Sequence, residues 1–140
     1  MEEDEAPSLL AALICEEITP TSDVTHDILG VRNIFEMPVT GDWVGSNLTV
    51  ALLFFLPVPG KFRLRLALRN PDGKRVMMVA NEILFEPTTR GVTARAPSLR
   101  SVRIPAPGEY ALDLLQGESV LASLPLVLVP PGTLTAKTGH

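Results

Sequence analysis

The fold of this chain is decided by residues 61–80, which read KFRLRLALRNPDGKRVMMVA. Residues 62–69 alternate large apolar side chains with arginine or alanine, and the apolar set is Phe62, Leu64, Leu66 and Leu68. Successive side chains of a strand point to opposite faces, so this alternation predicts a strand with one core face and one arginine-rich face. The NPDG motif at 70–73 predicts a turn, because proline presets φ and glycine accepts positive φ. Together these features predict a β-hairpin.

The register of this hairpin depends on the length of its loop. A three-residue loop pairs Asn70 with Lys74, whereas a two-residue loop breaks the apolar face. We therefore predict the three-residue loop, with Gly73 in a bulge. The cross-strand pairs that follow are Leu68 with Val76, Leu66 with Met78, and Leu64 with Ala80. This register puts Met77 and Val79 on the outer face, and we expect something to cover part of that face.

The rest of the chain repeats the same architecture. Its 13 prolines and 10 glycines separate short apolar segments, which favours many short strands over long helices. The spacing predicts an all-β, single-domain antiparallel β-sandwich of seven to eight strands, immunoglobulin-like or C2-like. We expect the sandwich to cover residues 9–131, with flexible tails at 1–8 and 132–140. The sequence has no Cys…Trp…Cys frame, which excludes an antibody-type domain.

Composition excludes several classes of function. A chain of 140 residues with 46% hydrophobic residues can bury the core of one domain. Its net charge of −4 argues against a dedicated nucleic-acid binder. A single cysteine excludes an internal disulfide and a cysteine-based zinc cluster. The acidic start does not resemble a secretory signal, and the longest apolar run, at 50–59, is too short to span a membrane. We therefore expect a cytoplasmic protein with no nucleic-acid partner, no membrane partner and no cofactor.

Few residues are candidates for chemistry. Cys15 lies in an apolar segment with no histidine near it in sequence, which favours a buried small residue over a nucleophile. Asp23, His26 and Asp27 form the densest group of metal-ligand types. An exposed loop with Asx turns explains this group as well as a metal site does, so no metal is predicted and the three remain weak candidates.

Two aromatic features point to binding. Trp43 lies in a loop between glycines, where it either folds back as a lid on the core or stands exposed as a binding anchor. The strand predicted at 47–56 is apolar on both faces from Leu52 onward and includes Phe54 and Phe55. Such a strand is either central or covered by a partner on its second face. Trp43, Phe54, Phe55 and the outward Met77 are the predicted binding residues.

Arginines recur along the predicted strands. They occur in the hairpin and again among small and β-branched residues at 90–103. They form either a basic face or a set of charged edges that keep the sheets from associating. The negative net charge favours the second interpretation.

Four short motifs carry a resemblance to a known family. They are ICEEI at 14–18, ILGV at 28–31, PDG at 71–73 and PGEY at 107–110. With these motifs the chain resembles an uncharacterised family of small bacterial β-sandwich proteins, a domain of unknown function. The resemblance implies a compact β-sandwich. It brings no known activity, so no functional residues carry over from it.

Three hypotheses for function follow. The first is a non-catalytic protein-interaction or assembly module that binds itself, as a homodimer, or another protein. The second is a small-ligand or carbohydrate-binding sandwich that uses the Trp43 loop, although aromatic residues make up only 5% of the chain. The third is a hydrolase-type enzyme, for which the sequence has no G-x-S-x-G or H-E-x-x-H motif. The sequence favours the first.

Overall fold

A computed structural model of the chain describes residues 7–21, 26–56, 61–85 and 91–134. Its strands in the first half are β1 (Ser8–Cys15), β2 (Glu17–Pro20), β3 (His26–Leu29), β4 (Ile34–Glu36), β5 (Trp43–Val44) and β6 (Thr49–Leu56). Those in the second half are β7 (Phe62–Arg69), β8 (Arg75–Phe85), β9 (Gly91–Arg95), β10 (Arg103–Ile104), β11 (Gly108–Gln116) and β12 (Ser119–Val129). Within the described residues, no helix has the length and apolar character needed to span a bilayer.

Two sheets form the layers of the fold. One has three strands in the order β1-β6-β9, and the other has five in the order β4-β12-β11-β7-β8. Two short pairs, β2-β3 and β10-β5, lie beside them. The all-β prediction is confirmed, and the two layers contain eight strands, within the predicted seven to eight; the two short pairs add four more. The sandwich is not purely antiparallel, since β4 runs parallel to β12.

The core lies between the two sheets and is formed by the alternate side chains of each strand that point inward. In β6 every second side chain, from Val50 to Leu56, faces the interior and is buried, and in β7 the predicted apolar set faces the same interior. The core side chains of these strands are Val50, Leu52, Phe54, Leu56, Leu64, Leu66 and Leu68. Phe62 and Phe85 stack with ring centroids 4.6 Å apart, and Phe54 meets Phe85 edge-on at 5.1 Å. These rings join the two layers at one end of the sandwich.

The hairpin formed by β7 and β8 has the predicted loop but not the predicted pairs. The Asn70 N–H donates to the Lys74 carbonyl at 2.7 Å, which closes the three-residue loop. A bulge then skips one residue of β8, so Leu68 faces Met77 instead of Val76. Met77 consequently packs against the core, and Val76 and Met78 are exposed. The expectation that Met77 lies on the outer face was wrong.

A tyrosine ties the start of β11 to the loop before it. The Tyr110 hydroxyl donates to the Ala106 carbonyl at 2.9 Å, which is the geometry of the tyrosine corner of immunoglobulin-like sandwiches. Pro71 of the hairpin loop lies so close to Gly108 that a side chain at 108 would start 2.9 Å from its ring. The NPDG turn and the PGEY motif, far apart in sequence, therefore meet at one end of the fold. Of the two predicted architectures, the fold is immunoglobulin-like.

The ends of the sandwich differ slightly from the predicted domain bounds. Ser8, assigned to the first tail, already pairs with Phe55 as the first residue of β1. At the other end the Leu134 N–H donates to the Glu36 carboxylate at 2.8 Å. Residues 1–6 and 135–140, which make up most of the two predicted tails, lie outside the described residues.

Substitution of Gly45 tests how tightly the loop that holds Trp43 is packed. A methyl group at this position would lie 2.7 Å from the Leu99 carbonyl oxygen and 2.9 Å from the Leu99 Cβ. We expect Gly45→Ala to lower the free energy of unfolding by about 1–3 kcal/mol, because backbone atoms must move to admit the methyl group. Urea denaturation measures this change. The exposed neighbour variant Ser46→Ala should stay within about 0.5 kcal/mol of the parent, and an equal loss in both variants would contradict the packing argument.

Candidate functional site

The outer face of the three-stranded sheet is apolar throughout its centre. Core-facing and outward residues alternate along β6, so Leu53 and Phe55 point away from the core. Residues paired directly across neighbouring strands lie on the same face of a sheet. The pairs on the outer face are Ala11 with Leu53, Leu13 with Ala51, Leu53 with Ala94, and Phe55 with Val92. We call the set Ala11, Leu13, Leu53, Phe55, Val92 and Ala94 the apolar face. All six are intermediate in exposure, and none carries a charge.

The hairpin of β2 and β3 covers one end of this sheet. Ile18, Pro20 and His26 of the hairpin line a cavity of about 210 Å³ together with Ala94 and Ala96. The β2 strand also contacts the central strand β6, and the outward Ala51 of β6 is fully buried. Beyond this end of the sheet, the outward Leu53 and Phe55 are intermediate in exposure.

The first strand forms an open edge of the same sheet. β1 pairs with β6 on one side only. Its sequence, SLLAALIC, has no charged residue, proline or glycine. Beside it runs an apolar groove of about 300 Å³ whose lining includes Ala12, Ile14, Val31, Leu124 and Pro125. Leu10 of β1 is 54% exposed.

The outer face of the five-stranded sheet has a different character. Its centre is Asp113 of β11, the one charged residue that is buried among the described residues, at 1% exposure. Both oxygens of this carboxylate are held by Arg69, and the second accepts the Arg75 Nε–H at 2.9 Å. The Ser123 hydroxyl donates to the first oxygen at 2.8 Å. One carboxylate thus binds side chains from three other strands of the sheet: β7, β8 and β12.

These partners decide the charge state of Asp113. Burial by itself raises the pKa of the carboxyl group, but the hydrogen bonds from Arg69, Ser123 and Arg75, together with the charge of Arg69, outweigh it and lower the pKa below its usual range. The carboxylate is therefore ionised at neutral pH and its bonding capacity is used. Such a saturated group acts as a structural clamp and not as a general base.

The structure places the predicted binding residues mostly inside the fold. Trp43 is 7% exposed and its ring lies 5.2 Å from that of Phe35, which is the lid arrangement and not the exposed anchor. Phe54 is 1% exposed because it falls on the core side of β6, so the expectation of an accessible Phe54 is corrected. Met77 packs against the core as described above. Phe55 alone of the four points to an outer face.

The candidates for chemistry do not come together. Cys15 is fully buried, and that burial raises the pKa of its thiol despite hydrogen bonds from backbone groups of Glu17 and Ala51. Asp23 lies outside the described residues. His26 and Asp27 are neighbours on β3 and face Pro20 and Thr19. Among the described residues no group of three or more metal-ligating side chains is assembled.

Sequence reasoning missed Asp113 and the open edge of β1. The sequence did contain a signal for Asp113, because outward arginines at alternate positions of β7 favour an opposite charge on a neighbouring strand. Asp113 was the acidic residue in the middle of the apolar β11 segment. The open edge had no comparable signal, since it depends on the order of strands in the sheet.

The sequence comparison settles the family. A model of a family of unknown function, DUF6941, matches residues 10–129. The chain belongs to DUF6941. This confirms the expected membership of an uncharacterised domain family. No curated protein matches the sequence.

Solved structures resemble the DUF6941 chain at low sequence identity. A beta-D-glucoside glucohydrolase from Trichoderma reesei matches 89% of the chain with a TM-score of 0.56 and 10% identity. The chain spans only 19% of the length of that enzyme, and at this identity the match shows the fold alone. An immunoglobulin-like protein from Pseudomonas aeruginosa matches 89% of the chain and 97% of its own length, with 16% identity and a TM-score of 0.42.

The Asp113 clamp should contribute to stability in a pH-dependent manner. Because its folded-state pKa is lowered, the contribution is complete above the unfolded value of about 3.9 and is lost as the pH falls toward the folded value. We expect Asp113→Asn to reduce the free energy of unfolding by about 1–3 kcal/mol at pH 7. The difference between the parent and the variant should shrink below about pH 4, as urea denaturation at a series of pH values measures.

Glu109→Gln is the control for this series, since Glu109 is an exposed carboxylate on the same strand. Its unfolding free energy should follow that of the parent across the pH range. A constant difference between the parent and Asp113→Asn from pH 7 to pH 3 would show that the ionised carboxylate does not supply the stabilisation.

Proposed function

We propose that this DUF6941 protein is a non-catalytic assembly module that associates with a second copy of itself through the apolar face. The observation that supports the proposal most strongly is the pattern of β6, whose outward Leu53 and Phe55 are apolar but are less buried than the core-facing residues of the same strand. Outward positions of an antiparallel sheet that face water are normally polar. Apolar residues at these positions in three adjacent strands indicate a surface that is covered when the protein works.

Charge distribution supports the choice of this face over the opposite one. The apolar face has no charged member, so contact between two copies buries no unpaired charge. The outer face of the five-stranded sheet instead presents Arg63 and Arg65, and its central Asp113 clamp already has partners. A symmetric contact needs a surface that is complementary to itself, and an uncharged apolar surface meets this requirement.

The alternatives receive less support. Binding of a carbohydrate or small ligand was expected to use an exposed Trp43, but this residue is only 7% exposed. A hydrolase-type site needs a nucleophile and a base within hydrogen-bond reach. Cys15 is fully buried, and its burial, together with the charge of Glu16, raises the pKa of the thiol. The outer surface of the three-stranded sheet remains the best candidate for function.

Leu53→Asp tests the proposal. Leu53 lies at the centre of the apolar face and is intermediate in exposure, so the aspartate can reach water in the separated chain but would be buried by association. We expect the dissociation constant to rise about thirtyfold or more. Size-exclusion chromatography with light scattering, over a wide dilution series, measures the change in mass.

Val76→Asp is the matched control, because Val76 is an exposed apolar residue on the other sheet. Circular dichroism should show that both variants keep the parent fold. Equal masses for Leu53→Asp and the parent at every concentration would rule out the apolar face as the contact. A parent chain that is monomeric throughout the series would rule out self-association.

A further inference from the structure

The four strands at the ends of the two sheets differ in how well they are protected. β9 carries Arg95, whose Nε–H donates to the Leu84 carbonyl and so links it to the opposite sheet. β8 is interrupted by bulges and bears charged residues. β4 has only three residues, one of them Glu36. Charges, bulges and short length are the devices that keep sheet edges from pairing with other chains. β1 has one of these devices, a bulge at Leu10 where its register with β6 shifts, but it has no charge and spans eight residues.

The backbone of β1 shows which groups are open. The Ile14 carbonyl faces away from β6, because it accepts the Arg32 N–H at 3.0 Å on the outer side. Residues two apart in a strand direct their backbone groups to the same side, so the Ala12 N–H and carbonyl also point outward. In the described part of the chain, no strand pairs with this side of β1 from Ser8 to Leu13.

We propose that β1 pairs with β1 of a second copy, antiparallel and across a two-fold axis, to form a continuous six-stranded sheet. Open backbone groups in a row are satisfied best by another strand, which is the mode of β-strand addition. The partner is a second copy because the strand is complementary to itself. Every side chain from Leu9 to Ile14 is apolar, so two-fold pairing centred on Leu10 to Ala12 brings no charged side chain of β1 into the contact.

The surroundings of the edge fit such a partner. Leu10 is 54% exposed on the strand and Val31 is 53% exposed beside it. The groove of about 300 Å³ along the strand is lined mainly by apolar residues. A second strand would therefore gain apolar contacts as well as backbone hydrogen bonds.

This contact is separate from the one under Proposed function, because pairing at an edge leaves the faces of the sheet uncovered. The edge and the apolar face together would give four copies with two kinds of interface, as in tetramers of dihedral symmetry. The two contacts can accordingly be removed one at a time. Either can exist without the other.

Ala12→Pro removes the outward N–H without removing a hydrogen bond to β6, and proline is tolerated at sheet edges when its nitrogen faces solvent. We expect the dissociation constant of the edge contact to rise at least about tenfold. Ala12→Ser, which keeps the N–H, should associate as the parent does. Light scattering should show half the parent mass for Ala12→Pro and a monomer for Ala12→Pro combined with Leu53→Asp. If Leu53→Asp leaves the mass unchanged but Ala12→Pro lowers it, the edge contact stands and the face contact fails.

Disulfide cross-linking tests the same contact without removing any backbone N–H of β1. In a Cys15→Ala background, single cysteines replace Ser8, Leu10 or Ala12, and mild oxidation is followed on non-reducing gels. Residues at the two-fold axis lie within disulfide range of each other. One of the three positions should cross-link at least about tenfold faster than the control Ser101→Cys, because pairing raises the effective thiol concentration. Rates equal to the control at all three positions, with the parent mass retained in Ala12→Pro, would overturn edge pairing and leave the face contact in place.

Discussion

The architecture depends on one constraint: β6 is apolar on both faces, while a two-layer sandwich provides an interior for only one. The core side is satisfied inside the fold, where Phe54 meets Phe62 and Phe85 from the opposite sheet. Among the described residues, the outer side is flanked by β1 and β9 and covered at one end by the hairpin of β2 and β3. Burial of apolar area is the main favourable contribution to folding and to association. A strand of this kind therefore stabilises the fold with one face and favours association with the other.

The five-stranded sheet meets a related problem within a single chain. Its outer face contains small residues, such as Ala67, that would leave the sheet open to water. Arg69 of β7 and Arg75 of β8 extend across this face to Asp113, and the methylene stems of arginine side chains can cover apolar surface while their head groups stay polar. Ala67 is accordingly only 1% exposed although it points outward. The arginines held by the buried Asp113 carboxylate cover part of the outer face of this sheet. The five-stranded sheet therefore leaves less apolar surface for a partner to cover than the three-stranded sheet does.

The hairpin shows how far the sequence determines the structure. Strict alternation in β7 assigned its core face correctly, and the NPDG turn predicted the three-residue loop that the Asn70–Lys74 hydrogen bond closes. The cross-strand pairs were wrong because the next strand reads VMMVA at 76–80. In a run where every residue is apolar, a shift of one position exchanges one apolar side chain for another, so the pattern does not specify the register. The bulges of β8 set the actual register, and the alternation of apolar and polar residues does not reveal where these bulges lie.

The candidate surface could be predicted only where it depends on residues that are consecutive in the sequence. The two-sided character of β6 is contained in eight consecutive residues, and the sequence revealed it before the structure did. The openness of β1 is not contained in its own residues, because the same apolar segment in the middle of a sheet would be an ordinary buried strand. Its position at the end of the sheet follows from pairing with β6, far along the chain, and from the absence of a further strand on its other side among the described residues. Natural edges usually combine an exposed position with a sequence that discourages pairing. In β1 the exposed position and the permissive sequence coincide, and this coincidence, which neither the sequence nor the topology reveals alone, makes the strand a site for association.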